Sequence, residues 1–151
     1  MKIAIGSDHA GYELKEKIKA FLTKEKYEFG DFGTNSSESV DYPDFAKRVS
    51  EAVLGGHEFG ILICSSGIGM SMSANKFPGI RAAFCVSPEL AKASREHNNA
   101  NVLTLGARFT DENIAKKIVK TFLETEFTDE ERHMRRIKKM SALESVFQAR
   151  K

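Results

Sequence analysis

Along the chain the spacing of apolar residues changes repeatedly, and each change marks an element. Lys2–Ser7 alternates around Ile3 and Ile5 and reads as a strand, which ends at Asp8-His9-Ala10-Gly11. Leu14, Ile18, Phe21 and Leu22 then recur at helical spacing among Lys and Glu. Tyr27–Phe32 predicts a second strand, closed by Asp31, Gly33 and the polar run Thr34–Ser39. Pro43 suits the first turn of a helix that turns Phe45, Val49, Ala52 and Val53 inward and stops near Gly55-Gly56. Phe59–Cys64 is apolar nearly throughout, the pattern of a central parallel strand covered on both faces. It runs through Ser65-Ser66-Gly67-Ile68-Gly69-Met70 into a small-residue helix containing Met72 and Ala74. Arg81–Val86 predicts a strand and Pro88–His97 a helix capped by Ser87. Val102–Leu105 follows as a short strand, and Thr110 opens a helix with Ile114, Ile118, Val119 and Phe122. The last predicted helix sets Met134, Ile137, Met140, Leu143 and Phe147 along one side, with Arg132, Arg135, Arg136, Lys138 and Lys139 interspersed.

Strands alternating with helices predict a three-layer α/β/α sandwich: a five-stranded parallel sheet with right-handed crossovers, plus a C-terminal helix. The expectation is one domain over residues 1–151, with no repeat or linker. The apolar stripe of the last helix has no further strand to cover. It must lie on its own domain or on a second copy of the chain.

Charge and cysteine content remove several function classes. Lys+Arg of 23 against Asp+Glu of 21 gives a net charge of +2, too balanced for a nucleic-acid partner. No apolar run approaches the ~20 residues that span a bilayer, and the first residues read as a strand rather than a leader. Cys64 and Cys85 form no disulfide framework, and no His/Cys spacing suggests a metal. The expected setting is cytoplasmic.

In an open parallel sheet, ligands bind beyond the carboxyl ends of the strands. Four loops with unusual residues are expected there: Asp8-His9, Cys64–Gly69, His97-Asn98 and Gly106-Ala107-Arg108. In the second of these, a buried strand delivers a thiol to a turn rich in hydroxyls and glycines at a helix start. The N–H groups of such a turn suit an anion, and the same field favours thiolate. A tyrosine phosphatase would need arginine at the sixth position after the cysteine, where Met70 stands. A dinucleotide site would need its glycines after the first strand, and a receiver domain would need an acid where Cys64 stands. Cys85 is expected in the core without a role. Arg132 and Arg136, four apart, point the same way and suit one phosphate, with Arg108 a third candidate.

Gly6-Ser7-Asp8-His9-Ala10-Gly11, Asp41-Tyr42-Pro43, Cys64–Gly69, Ala74-Asn75-Lys76, Gly79-Ile80-Arg81-Ala82, Arg95–Val102 and Arg132-His133 together resemble the ribose-5-phosphate isomerase B family, in order and over almost the whole chain. One departure is Ser65, where the family loop Gly-Thr-Gly-x-Gly has its first glycine; Ser66 keeps the hydroxyl. Related galactose-6-phosphate isomerase subunits lack either the cysteine or the His-Asn pair. The resemblance implies a Rossmann-like sheet of order 2-1-3-5-4 and an enzyme interconverting ribose 5-phosphate and ribulose 5-phosphate through an enediolate. It implies Cys64 as the carbon base, Ser66 as its assistant, and His97 as the acid–base group for ring opening. Asp8, Tyr42 and Asn98 would hold the sugar, and the Ser65, Gly67, Ile68 and Gly69 turn the enediolate oxygen. His9, Arg108, Arg132 and Arg136 would hold the phosphate. It implies no metal or cofactor, and a homodimer or dimer of dimers with shared sites. The rival readings are a hexose-phosphate isomerase, such as one for allose 6-phosphate, and a non-catalytic sugar-phosphate binder.

Overall fold

The computed structural model describes residues 1–148, with the side chains of 147 and 148 outside that description. Five strands, β1 (Lys2–Ser7), β2 (Glu28–Asp31), β3 (Phe59–Cys64), β4 (Ala82–Phe84) and β5 (Val102–Gly106), form one parallel sheet. Their order is β2-β1-β3-β5-β4, as the resemblance implies. The helices are α1 (Tyr12–Lys24), α2 (Tyr42–Leu54), α3 (Ile68–Ala74), α4 (Pro88–Asn98), α5 (Glu112–Glu124) and α6 (Glu131–Gln148).

Successive strand residues face opposite sides of the sheet, so a strand buried on both faces must be apolar at nearly every position. Ile3, Ile5, Ile61, Ile63, Leu103 and Leu105 belong to one core with Leu14, Ile18 and Leu22 of α1 and Ile118 and Phe122 of α5. Ala4, Leu62, Cys64 and Val102 belong to the other, with Phe45, Val49 and Val53 of α2 and Met70 and Ala74 of α3. Cys64 is thus both the last residue of a central strand and a member of the second core.

Boundaries move where local side-chain bonds compete with the ladder. β4 is three residues long, not the six predicted, because it pairs only with β5. The Asn75 amide takes both peptide groups of Ala82: the Ala82 N–H donates to Oδ1 at 2.8 Å and Nδ2 donates to the Ala82 carbonyl at 3.0 Å. Cys85 lies just past the other end of the strand, still buried as expected. β2 likewise loses Tyr27 and Phe32 at its ends. α5 starts at Glu112 rather than Thr110, because the Asp111 carboxylate accepts from the Asn113 and Ile114 N–H groups. Ile114 is exposed rather than inward, and Ala52 is only half-buried. Ser87 caps α4 as expected, accepting from the Leu90 N–H at 3.3 Å.

α6 is tethered at both ends but poorly covered between. Its Glu144 carboxylate accepts from the Gly79 N–H at 3.0 Å, and His133 is buried near its start. Ile137 is half-buried, while Met140 and Leu143 are exposed. Phe147, the last residue of the predicted stripe, has its side chain outside the described residues.

Candidate active site

At the carboxyl edge of the sheet, the loops after β1, β3 and β5 are bound to one another through the main chain. The Asp8 N–H donates to the Ile63 carbonyl at 3.2 Å, the Ala107 N–H to the Cys64 carbonyl at 2.9 Å, and the Arg108 N–H to the Ser65 carbonyl at 3.0 Å. Asp8 is buried, and its Oδ1 accepts from the Gly11 N–H at 3.0 Å, which closes the first loop. The second carboxylate oxygen keeps its lone pairs for a ligand hydroxyl. The Val40 N–H donates to His9 Nδ1 at 3.2 Å, so Nε2 is the nitrogen left to donate.

The turn after β3 is built around Gly67, at φ +81°. Glycine reaches that left-handed region without strain, and here a Cβ would also stand 2.8 Å from the Phe84 ring. The turn folds back on the thiol: the Gly67 N–H donates to Cys64 Sγ at 3.2 Å, and the Ile68 N–H to Ser66 Oγ at 3.2 Å. Two of the N–H groups read from sequence as an anion cradle therefore already have acceptors within the turn. Gly69 lies under Tyr42, where a Cβ would stand 2.7 Å from the ring. Asp8, Tyr42, Cys64, Ser65, Ser66, Ile68, Gly69 and Met72 line a cavity of about 360 Å³. Met72, which sequence reading did not single out, forms part of its exposed wall. Arg108 borders a neighbouring cleft of about 490 Å³ that shares Ser65 with the first.

The remaining residues stand elsewhere. α4 runs back antiparallel to the strands, so its last residues, His97 and Asn98, lie at the amino edge of the sheet. This corrects the expectation that their loop joins the other three. The length of β3 separates them from Cys64, on the order of 15–20 Å at the rise of a strand. Arg132 and Arg136, on the first two turns of α6, share that amino edge. Arg132 forms an ion pair with Glu130, Nε to carboxylate 2.9 Å.

Buried charge holds this second cluster. Arg95, 7% exposed, donates to the Asn99 side chain at 2.8 Å, the Ala100 carbonyl at 2.6 Å and the Thr125 carbonyl at 3.2 Å. Its guanidinium also lies over the rings of Phe59 and Phe122. Arg81 Nε donates to the Asn98 and Asn99 carbonyls, fixing the end of α4 from the side of β4. His97 stacks on His133 of α6, with ring centroids 4.6 Å apart and planes 16° apart. Burial, then the positive charges of Arg132 and His97, pushes the His133 imidazole below its usual range. Sequence reading gave Arg95, Arg81 and His133 no role. Local spacing does not mark them, because the groups they meet lie on other segments.

No group of three or more His, Cys, Asp or Glu suited to a metal exists among the described residues. No described helix is long and apolar enough to cross a membrane.

Residues 3–140 match the family model for Ribose/Galactose Isomerase. The chain is 46% identical over 144 residues to ribose-5-phosphate isomerase B of Escherichia coli, covering 95% of this chain and 96% of that one. The structure of ribose-5-phosphate isomerase B from Clostridium thermocellum aligns with a TM-score of 0.95 at 51% identity, over 97% of this chain and 99% of that one. The type B ribose 5-phosphate isomerase of Trypanosoma brucei aligns with a TM-score of 0.91 at 45% identity, over 94% and 97%. With sheet order, cysteine turn and sequence agreeing over nearly its full length, the chain belongs to the ribose/galactose isomerase family, alongside the ribose-5-phosphate isomerase B enzymes.

Proposed function

We propose that the protein interconverts ribose 5-phosphate and ribulose 5-phosphate, a step of the non-oxidative pentose phosphate pathway, as one domain over residues 1–151. The observation that carries this reading is a thiol and a hydroxyl, Cys64 and Ser66, beside Asp8 and Tyr42 in one cavity. The reaction moves a proton between C1 and C2 through an enediolate. Cys64 Sγ takes the C2 proton of the open aldose and returns it to C1, while Ser66 Oγ assists transfer between the oxygens. The main-chain N–H groups of Ser65 through Gly69 face the developing oxyanion, and those now bonded within the turn must exchange acceptors to do so. Asp8 orients the sugar hydroxyls and Tyr42 covers the ring, with Asn98 as a further ligand.

Ring opening precedes this chemistry: the C1 hydroxyl loses its proton, the ring oxygen gains one, and the bond between C1 and the ring oxygen breaks. His97 is the group for that exchange. His9, Arg108, Arg132 and Arg136 take the phosphate. No cofactor or metal enters this scheme, because the protein's own donors face the charge that develops. A phosphorylated substrate and two free thiols accord with a cytoplasmic setting.

The working unit of this proposal is a homodimer, alone or paired into a dimer of dimers. His97 and Cys64 of one chain lie at opposite edges of the sheet, so a single chain cannot bring both to one sugar. A twofold copy lying antiparallel along the β4 edge brings the amino edge of each chain to the carboxyl edge of the other. The apolar residues on that side support it: Ile68, Met72, Phe84, Val86 and Phe109 around the cysteine turn, and Met140 and Leu143 on α6, are exposed in the isolated chain.

An assay of ribose 5-phosphate beside allose 6-phosphate tests the substrate. Faster turnover of the pentose is expected, and a clear preference for the hexose overturns the assignment.

A further inference from the structure

We infer that His133 is a positioning residue for ring opening, a flat neutral platform that fixes the His97 imidazole and leaves His97 alone to carry the proton. The inference rests on the proposed role of His97 and is testable apart from it.

His97 is the penultimate residue of α4 and is exposed in the isolated chain. The restraint comes from α6. The segment leading into that helix is fastened to the last turn of α4: Thr128 donates to the Glu96 carbonyl through both its N–H, at 3.5 Å, and its hydroxyl, at 2.9 Å. Arg95 takes the Thr125 carbonyl from below. The chain therefore enters α6 one residue away from His97, and the third residue of the helix lays its ring on the His97 ring.

The His133 ring makes its contribution through its face. The residue is 6% exposed, and Nε2 is buried with no hydrogen-bond partner among the described residues, 4.0 Å from the Glu130 carboxylate. An unpartnered buried nitrogen is a net cost to the fold, so the position is not explained by a hydrogen bond through Nε2. Charge also selects the neutral form. Among the described residues, His97 on α4 and Arg132 and Arg136 on α6 disfavour a charge on His133, and the Glu130 carboxylate favours it. A second imidazolium stacked on His97 would repel it, whereas a neutral ring accepts a protonated His97 against its π-face. Consistent with this, burial and those cations hold the His133 imidazole below its usual range.

Proton exchange separates this role from a general one. Ribose 5-phosphate is mostly a closed hemiacetal, and isomerisation in either direction passes through the same ring step on the enzyme. Ribulose 5-phosphate, with its C5 oxygen esterified, is open-chain, and its C1 proton exchanges with D2O through the enediolate alone, without that step. His133→Ala is expected to lower isomerisation by about ten- to hundredfold in both directions, the scale of a misplaced catalytic group. Enzyme-catalysed exchange at C1 of ribulose 5-phosphate, followed by NMR, should stay within about twofold, and KM should be little changed. His133→Phe, which keeps the flat ring and removes both nitrogens, should restore most of the lost rate. Unchanged isomerisation in His133→Ala overturns the inference. So does an equal loss of isomerisation and exchange, or a folded Phe variant as slow as the Ala variant. His97→Ala run beside them isolates the underlying reading: if it loses isomerisation and exchange equally, ring opening is not the task of His97 and the premise fails. If it loses only isomerisation while His133→Ala loses neither, the premise stands and the positioning role falls.

Discussion

At the carboxyl edge, Asp8, Cys64, Ser65 and Arg108 are held by main-chain hydrogen bonds between loops that directly follow strands. At the amino edge, the end of α4 with His97 and Asn98 and the segment leading to α6 are held by long side chains, Arg81 and Arg95, reaching main-chain carbonyls. The first region is specified by strand ends and turn chemistry, and it contains the nucleophilic atoms and a cavity. The second is a cationic ledge assembled from α4 and α6. Each is incomplete in the way the other supplies. In the proposed dimer this division lets the sugar end and the ring-opening end be set by different elements.

The comparison breaks most visibly at the thiol. Cys64→Ala should lower turnover by about 10³-fold or more while leaving the fold intact, since the loss is that of a carbon base. Thermal melting beside steady-state rates checks both halves, and a variant isomerising at the parent rate would remove the carboxyl edge from the chemistry.

The two cysteines sharpen the same point. Burial pushes the Cys85 thiol up to about 11, so at pH 8 about one part in a thousand is thiolate. Iodoacetamide should label Cys64 at least about tenfold faster, with ribose 5-phosphate protecting it. Mass spectrometry of digested, labelled protein gives both rates; equal labelling with no protection argues against the placement of Cys64.

A support of the carboxyl edge has its own pH signature. Lys15, fully buried, donates to both oxygens of Asp31 at 2.6 and 2.8 Å, and the Gly33 N–H donates to the same carboxylate. Burial opposes the Asp31 charge, but the Lys15 and Lys19 ammonium groups and that N–H outweigh it and hold the carboxyl below its usual range. A depressed carboxylate adds stability that is complete above the unfolded value near 3.9 and lost as pH falls through the folded one. Asp31→Asn, leaving Lys15 buried beside a neutral amide, should cost about 2–3 kcal/mol at pH 7, less than for a wholly enclosed pair. The gap to the parent should narrow below pH 4. Urea melts at pH 7 and pH 3.5 decide it, and a gap independent of pH counts against the ion pair.

The smallest signal speaks to both edges together. Mixed in equal amounts and allowed to exchange, Cys64→Ala and His97→Ala chains should recover about a quarter of parental activity, because half the dimers are mixed and each holds one intact site of two. No recovery, with mixed dimers demonstrated, would put both residues of a site on one chain.

Periodicity determined the elements, because a strand buried on two faces and a helix buried on one leave different imprints on hydrophobic spacing. Turn chemistry likewise marked the carboxyl-edge residues, since glycine and hydroxyl clusters after a strand have a local meaning. The three-residue β4 was not legible: its start is fixed by Asn75 taking the Ala82 peptide groups across a turn. Nor was the direction in which His97 faces. A motif names residue types, but the edge a helix terminus reaches follows from the right-handed return of α4 beneath the sheet. The stacking of His133 on His97 needs two helices separated by α5 and a strand, brought together by Arg95 and Thr128. Local sequence fixes what a segment becomes; only the closed tertiary structure, where buried donors must find their acceptors, decides which segments meet.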